Sequence, residues 1–284
     1  MSKLYIVGTP IGNLGDITYR AVETLRAVDF VCAEDTRVTA KLLNYLDIKK
    51  PLVSHHEHNQ KPSCAAISER ILSGEDCALV TDAGMPCISD PGEELVRYCA
   101  EKGIEIAVVP GPSAVISALA VSGLETSRFS FQGFLSVNRR SRFEQLENAS
   151  KIPDTLIFYE APHKLIGTLG DMLKYLGDRK ISLCRELTKI HEQVLRTTIS
   201  QALEYYTDVQ PKGEYVLVIE GCRDEEKAET LSDAVAQAEA LIDKGMRKSD
   251  AAKHIAKTSG FPKGEIYAAL IDNAVLTEND KDDD

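Results

Sequence analysis

The chain of 284 residues is 43% hydrophobic and carries a formal net charge of −11. Its length suits two domains with real cores, and no run of about 18 apolar residues offers a transmembrane helix. The acidic balance argues against non-specific nucleic-acid binding, which rests on neutralised phosphates.

Seven cysteines (Cys32, Cys64, Cys77, Cys87, Cys99, Cys184 and Cys222) lie scattered, odd in number and without a C-x-x-C pair. Buried free thiols in a reducing cytoplasm fit that pattern. Lys3–Gly8 is the first predicted strand, and no signal peptide is expected before it. It ends in Gly8-Thr9-Pro10-Ile11-Gly12-Asn13-Leu14-Gly15, which matches neither the dinucleotide fingerprint nor a Walker loop. A helix over Thr18–Val28 puts Ala21, Leu25 and Val28 on one stripe. Asp29–Ala33 forms the second strand and delivers Glu34-Asp35-Thr36-Arg37 to its carboxyl end. Asp35 or Thr36 suits the N-cap of a helix over Val38–Leu46, and the two acids also suit a polar site.

Pro51–Ser54, a third strand, leads to His55-His56-Glu57-His58-Asn59-Gln60, which holds half of the six histidines. Their spacing fits neither H-E-x-x-H nor a zinc ribbon, so no metal is expected there. The loop reads as a proton-transfer or substrate-holding segment, with an exposed polar loop as the plain alternative. After a helix over Ala65–Leu72 come two strand–loop–helix units. Cys77–Val80 leads into Asp82-Ala83-Gly84-Met85-Pro86 and on through Asp90-Pro91-Gly92, and Ile104–Val109 leads into Pro110-Gly111-Pro112-Ser113-Ala114. These are successive βα units of a parallel sheet. Ligands of such sheets sit at the strand carboxyl ends, where both loops lie. Glycine lets backbone approach a ligand closely. A first α/β domain is expected over residues 1–123, with Ser122–Arg128 as linker.

A second α/β domain, with a mixed sheet, is expected over residues 128–222. Its strands are Phe129–Phe134, Thr155–Tyr159, Ile181–Cys184, an edge strand over Glu192–Ile199, and Gly213–Glu220. A helix opens at Asn138-Arg139-Arg140-Ser141-Arg142, whose arginines form a solvated face or a phosphate contact. Arg223–Glu229 reads as a charged linker. Residues 230–275 read as helical, with a helix-turn-helix-like outline around Thr258–Phe261. From Lys244 to Lys263 there are six basic residues against one acid, Asp250. That local face suits RNA, and a plain helical cap on the second domain is the competing reading.

The loops Gly8–Asn13, Asp82–Pro86 and Pro110–Ala114 resemble those of the tetrapyrrole methylase family of S-adenosylmethionine-dependent methyltransferases. Ala33–Arg37, His56–Asn59, Phe158–His163 and Arg185–Lys189 look like the branch that methylates a cytidine 2′-hydroxyl in the decoding region of 16S ribosomal RNA. The resemblance is dense over residues 3–222. It implies two α/β domains with the methyl donor in the cleft between them, and a homodimer. By the resemblance, Pro10, Ala83, Gly84, Met85, Pro86, Gly111, Ser113 and Ala114 hold S-adenosylmethionine from the first domain. Tyr159, Glu160, Glu214 and Tyr215 close it from the second. Tetrapyrrole-modifying members have a G-x-G-x-G first loop, which this chain lacks, so an RNA substrate is favoured over a precorrin-type one. A non-enzymatic RNA-binding assembly factor on the same fold is a further alternative. A ribose hydroxyl needs a base, for which Asp35, His56, Glu57 and His58 are candidates. Arg37, Asn59, Arg185 and Lys189 are candidates for holding RNA.

Overall fold

The computed structural model describes residues 2–56, 60–222 and 230–279. The chain divides into two compact units, Met1–Cys222 and Arg223–Asp284. The first unit holds two five-stranded sheets.

The first sheet comprises β1 (Lys3–Val7), β2 (Phe30–Ala33), β3 (Leu52–Ser54), β4 (Cys77–Val80) and β5 (Glu105–Val109), in the order β3-β2-β4-β1-β5. All its pairings are parallel. Every residue of β2 and β4 is buried, which is why both read as unbroken apolar runs. The first four helices are α1 (Tyr19–Ala27), α2 (Thr36–Tyr45), α3 (Gln60–Leu72) and α4 (Glu93–Glu101). Leu25 of α1 and Leu43 of α2 pack with Val7, Val31 and Val80 on one face. Ile67 of α3 and Leu95 of α4 pack with Leu4, Phe30 and Leu79 on the other. Asp35 is the N-cap of α2, its side chain accepting from the Arg37 N–H at 2.8 Å. The third helix starts five residues before the expected Ala65. Pro62 lies in its first turn, where a missing N–H costs little.

The second sheet comprises β6 (Phe129–Phe134), β7 (Thr155–Glu160), β8 (Lys180–Arg185), β9 (Gln193–Thr198) and β10 (Tyr215–Ile219), in the order β6-β7-β10-β8-β9. Only β6 and β7 pair in parallel, so the sheet is mixed. The helices α6 (Arg139–Ala149), α7 (Leu165–Leu176) and α8 (Ile199–Asp208) bury Leu146, Leu169 and Ala202 against Leu156, Phe158 and Leu217.

One more helix, α5 (Ala114–Ser122), follows β5 of the first sheet in the chain. Its Val115, Ala118 and Leu119 pack with Ile157, Cys184, Val216 and Val218 of the second sheet. A β5–α5 unit was expected to belong with its own sheet. The helix instead lies on the far one, joining the two halves of the unit.

The second compact unit contains α9 (Leu231–Asp243), α10 (Lys248–Ile255) and α11 (Lys263–Asn279). Thr230 and Asp233 close a capping box at the start of α9. Ala234, Ala238, Ala252, Ile255, Ile266 and Leu270 form this unit's own core. The last helix runs past the expected Leu270 because no breaker follows it before Asn279. No helix among the described residues is long and apolar enough to cross a membrane.

Leu119 is 5% exposed and joins α5 to the second sheet. Leu119→Ala should therefore cost about 2–5 kcal/mol of stability. The expected result is a lower denaturant midpoint at unchanged slope. A loss well under about 1 kcal/mol would mean that the α5 contact is not what joins the halves.

Candidate functional site

In the first sheet β1 lies between β4 and β5, so the loops after these three strands emerge side by side. Backbone hydrogen bonds tie them together. The Gly8 N–H donates to Val109 O at 3.1 Å, and Thr9 and Gly84 exchange N–H···O bonds of 2.9 and 3.1 Å. The Thr9 hydroxyl donates to Thr81 O at 3.1 Å. A Cβ placed on Gly111 would stand 2.8 Å from Gly8 Cα, so backbone touches backbone there. Gly84 has φ +89, a conformation open to glycine at little cost.

Beneath these loops is a cavity of about 500 Å³. From the first sheet's side, Ala83, Gly84, Met85, Ser113 and Ala114 line it. From the second sheet's side the expected Tyr159, Glu160, Glu214 and Tyr215 line it too. Pro10, Pro86 and Gly111 do not. Gly111 packs its backbone against Gly8, where a Cβ would clash.

Residues that the sequence reading passed over also line the cavity: Asp90, Phe134, Glu186 and Leu187. Asp90 lies within the loop that follows β4, where an acid beside Pro91-Gly92 reads as turn chemistry. Burial, aided by the charges of Glu34 and Asp82, pushes its carboxyl up to about 6. Burial and the nearby Asp90 push the Tyr159 phenol up to about 12. Tyr159 is wedged between Phe131 and Phe134, at centroid distances of 5.0 and 5.4 Å. Glu160 is fixed in the wall, accepting from Thr168 Oγ1 at 2.5 Å and the Ala161 N–H at 2.8 Å.

Glu186 and Glu214 meet because β8 and β10 pair with Arg185 opposite Tyr215. Glu186 Oε1 accepts the Glu214 N–H at 3.0 Å, and that bond, with Lys189 nearby, holds its carboxyl below the usual range. Lys189 Nζ reaches Glu186 at 3.0 Å and Glu214 at 3.2 Å. Lys189, expected at RNA phosphates, is thus part of the cavity wall.

The other expected residues lie elsewhere. Asp35 caps α2 and is paired with Arg37, whose Nε and Nη2 donate to its two oxygens at 3.0 and 2.6 Å. Those bonds hold its carboxyl at about 2, which makes it a poor proton acceptor. It does not line the cavity. The side chain of Arg37 is still 87% exposed. Arg185 lines a second cavity, of about 420 Å³, with Tyr205, Tyr206 and Lys212. Tyr215 is a wall of both cavities. His55 is buried against Ser63 Oγ at 2.7 Å, and burial lowers its pKa. His56 is half-buried at the end of β3 and does not line the cavity. Glu57, His58 and Asn59 lie outside the described residues. Among the described residues no group of three or more His, Cys, Asp or Glu is placed to hold a metal ion.

Residues 3–203 match the family model of Tetrapyrrole (Corrin/Porphyrin) Methylases. The chain is 45% identical over 272 residues to Ribosomal RNA small subunit methyltransferase I of Synechocystis sp., covering 94% of this chain and 96% of that one. It is 48% identical over 223 residues to the Thermotoga maritima protein of the same name, covering 78% of this chain and 99% of the relative. The crystal structure of a diphthine synthase superposes with a TM-score of 0.62 at 16% identity, covering 78% of this chain and 90% of the other, a likeness of fold. The chain belongs to the tetrapyrrole methylase family and, within it, groups with relatives named ribosomal RNA small subunit methyltransferase I.

Proposed function

We propose that this chain methylates the 2′-hydroxyl of a cytidine ribose in the decoding region of 16S ribosomal RNA, with S-adenosylmethionine as donor, and that it works as a homodimer on the small subunit. The observation that carries this reading is the cavity under the three clamped loops, in a chain that aligns almost end to end with relatives named for this RNA. Its volume of about 500 Å³ lies within the usual range of small-molecule sites. Apolar walls from Ile11, Met85, Leu187 and Val216 suit an adenine ring and a thioether chain. The carboxylates of Glu186 and Glu214 favour a cationic guest over an anionic one.

S-adenosylmethionine, when bound, supplies a methyl group on an electrophilic sulfonium. The chain's own residues orient the partners, and alignment alone supplies several kcal/mol in such reactions. Ala83–Met85 and Ser113–Ala114 would hold the donor, largely by backbone. Tyr159, Glu160, Glu214 and Tyr215 would close it from the second sheet. Pro10, Pro86 and Gly111 act by fixing the loops. Phe134 is 54% exposed at the cavity wall and offers a face on which an unstacked base can lie. Arg37 and His56 follow β2 and β3 at the carboxyl edge of the same sheet. The end of β3 is two strand spacings, or about 10 Å, from that of β4. We assign that edge to RNA contact. For the homodimer, Val108 on the edge strand β5 and Ile116 on α5 are exposed apolar side chains that a second copy could cover.

The deciding experiment incubates the protein with labelled S-adenosylmethionine and small subunits from cells lacking it. Label on a cytidine ribose is expected. Label only in an added tetrapyrrole would point to carbon methylation, and RNA binding without transfer would point to a non-enzymatic factor.

Gly111→Ala should push the Gly8 backbone away, costing about 1–3 kcal/mol of stability and weakening donor binding at least about tenfold by calorimetry. Donor affinity equal to wild type would separate the loop clamp from the donor site. Phe134→Ala should raise the KM for subunits while donor affinity stays unchanged. A KM left unaltered would remove Phe134 from the RNA surface. Lys253 and Lys257 are exposed in and just after α10. Reversing both charges should flatten the salt dependence of RNA affinity by about 1.4 in slope, since each single-strand phosphate contact contributes about 0.7. An unchanged slope would leave the helical unit with no part in RNA binding.

A further inference from the structure

The donor and RNA contacts above leave the carboxyl of Asp90, at the cavity wall, without a role. Its loop is held in backbone conformations that side-chain-bearing residues rarely adopt: Cys87 has φ +72 and Ser89 has φ +63, and Gly92 follows at φ +136. Strain of this kind persists where the surroundings over-determine it, and it clusters at functional sites. The loop presents Asp90 to the cavity beside Tyr159. Beside Asp90 stands Thr81, 3% exposed, whose hydroxyl acts on the Asp90 carboxyl and favours its ionised form. The Thr81 hydroxyl donates to Glu34 Oε2 at 3.0 Å. Asp90, Thr81 and Glu34 are thus neighbours between the cavity and the carboxyl end of β2, where the Glu34-Asp35 pair had suggested a polar site.

Titratable groups interact with Asp90 from several elements. Glu34 comes from the end of β2, Asp82 from the loop after β4, Cys87 from its own loop and Tyr159 from β7. Asp82 and Glu34 oppose ionisation, and so does burial. At neutral pH the group is ionised, yet it is far more basic than Asp35, which its arginine holds at about 2. A general base works best with a pKa near the working pH.

We propose that Asp90 takes the proton from the hydroxyl that is methylated, and that Thr81 and Glu34 carry that proton out of the cavity. This rests on the methyl-transfer reading above. The hydroxyl oxygen uses a lone pair to form the new C–O bond to the methyl carbon. The C–S bond breaks with its electron pair left on sulfur, which becomes a neutral thioether. The O–H proton passes to a carboxylate oxygen of Asp90. The protonated carboxyl then donates to Thr81 Oγ1, whose own hydrogen already points to Glu34, and the proton reaches solvent from Glu34.

The test is Asp90→Asn, close in shape and unable to accept the proton. Donor affinity by calorimetry should stay within about threefold of wild type, while the single-turnover rate on small subunits should fall about 10²–10⁴-fold. The wild-type rate should rise with pH and level off above about 6, where Asp90 ionises. In the donor-free enzyme, infrared titration should find one carboxyl near that value, absent from Asp90→Asn. Stability supplies a further readout. The folded state raises this pKa above its unfolded value, so ionised Asp90 destabilises the fold above about pH 6. Asp90→Asn should therefore raise Tm at pH 7.5, with no gain at pH 3, whereas loss of a purely structural carboxylate would lower it. Glu34→Gln should move both the carboxyl titration and the acid limb of the rate to lower pH. An Asp90→Asn rate within threefold of wild type, or a wild-type Asp90 that titrates near 4, would overturn the assignment. Wild-type protein that puts no label on RNA would instead overturn the methyl-transfer reading beneath it.

Discussion

The packing of α5 on the second sheet is the contact on which the site depends. Val115, Ala118 and Leu119 are buried there against Ile157, Val216 and Val218. Full burial of a side chain such as Val or Leu is worth roughly 1.5–3 kcal/mol. The helix begins at Ala114 behind the cap Ser113, and both residues line the cavity. One apolar contact therefore joins the two sheets and also sets where the third loop meets the second sheet's strand ends. The loop clamp at Gly8, Thr9, Gly84 and Gly111 then fixes the remaining loops relative to that helix. Cavity shape follows from packing and backbone hydrogen bonds before any polar side chain is considered.

The strands were easy to read in the sequence where burial is complete on both faces. β2, β4 and β10 are unbroken apolar runs, and each lies inside its sheet. The edge strand β9 was legible because its pattern is weaker, with its residues only partly buried. Strand order was not legible. Nothing in Cys77–Val80 says that it enters between β1 and β2, because parallel pairing leaves no turn signal between partners. The placement of α5 was hidden for a related reason. It is apolar nearly all round, so its pattern names no preferred face.

At the site, the Gly/Pro loops were legible because glycine and proline carry their backbone geometry with them. The polar wall was only partly so. Glu186, Lys189 and Glu214 form one cluster, but 28 residues separate its ends and only the β8–β10 register brings them together. Lys189 read as a free cation although Glu186 stands three residues before it, because its second partner, Glu214, arrives only through the strand register. Asp35 read as a possible base, but its local partner Arg37 claims both oxygens. Short-range chemistry was recoverable for the cap and missed for the ion pair, although both involve the same two residues.

The position of β1 in its sheet has a consequence for biogenesis. Its neighbours are β4, with Leu4 opposite Cys77, and β5, with Lys3 opposite Glu105. At ~5–20 residues per second, translation delivers the first of these neighbours about 4–15 s after β1 itself. During that interval β1 has no partner on either edge, and β2 and β3 can pair only with each other. The strand synthesised first is the one whose place is settled last. An apolar segment with two open edges is what holding chaperones bind, so nascent chains of this fold should depend on such protection until β5 has emerged.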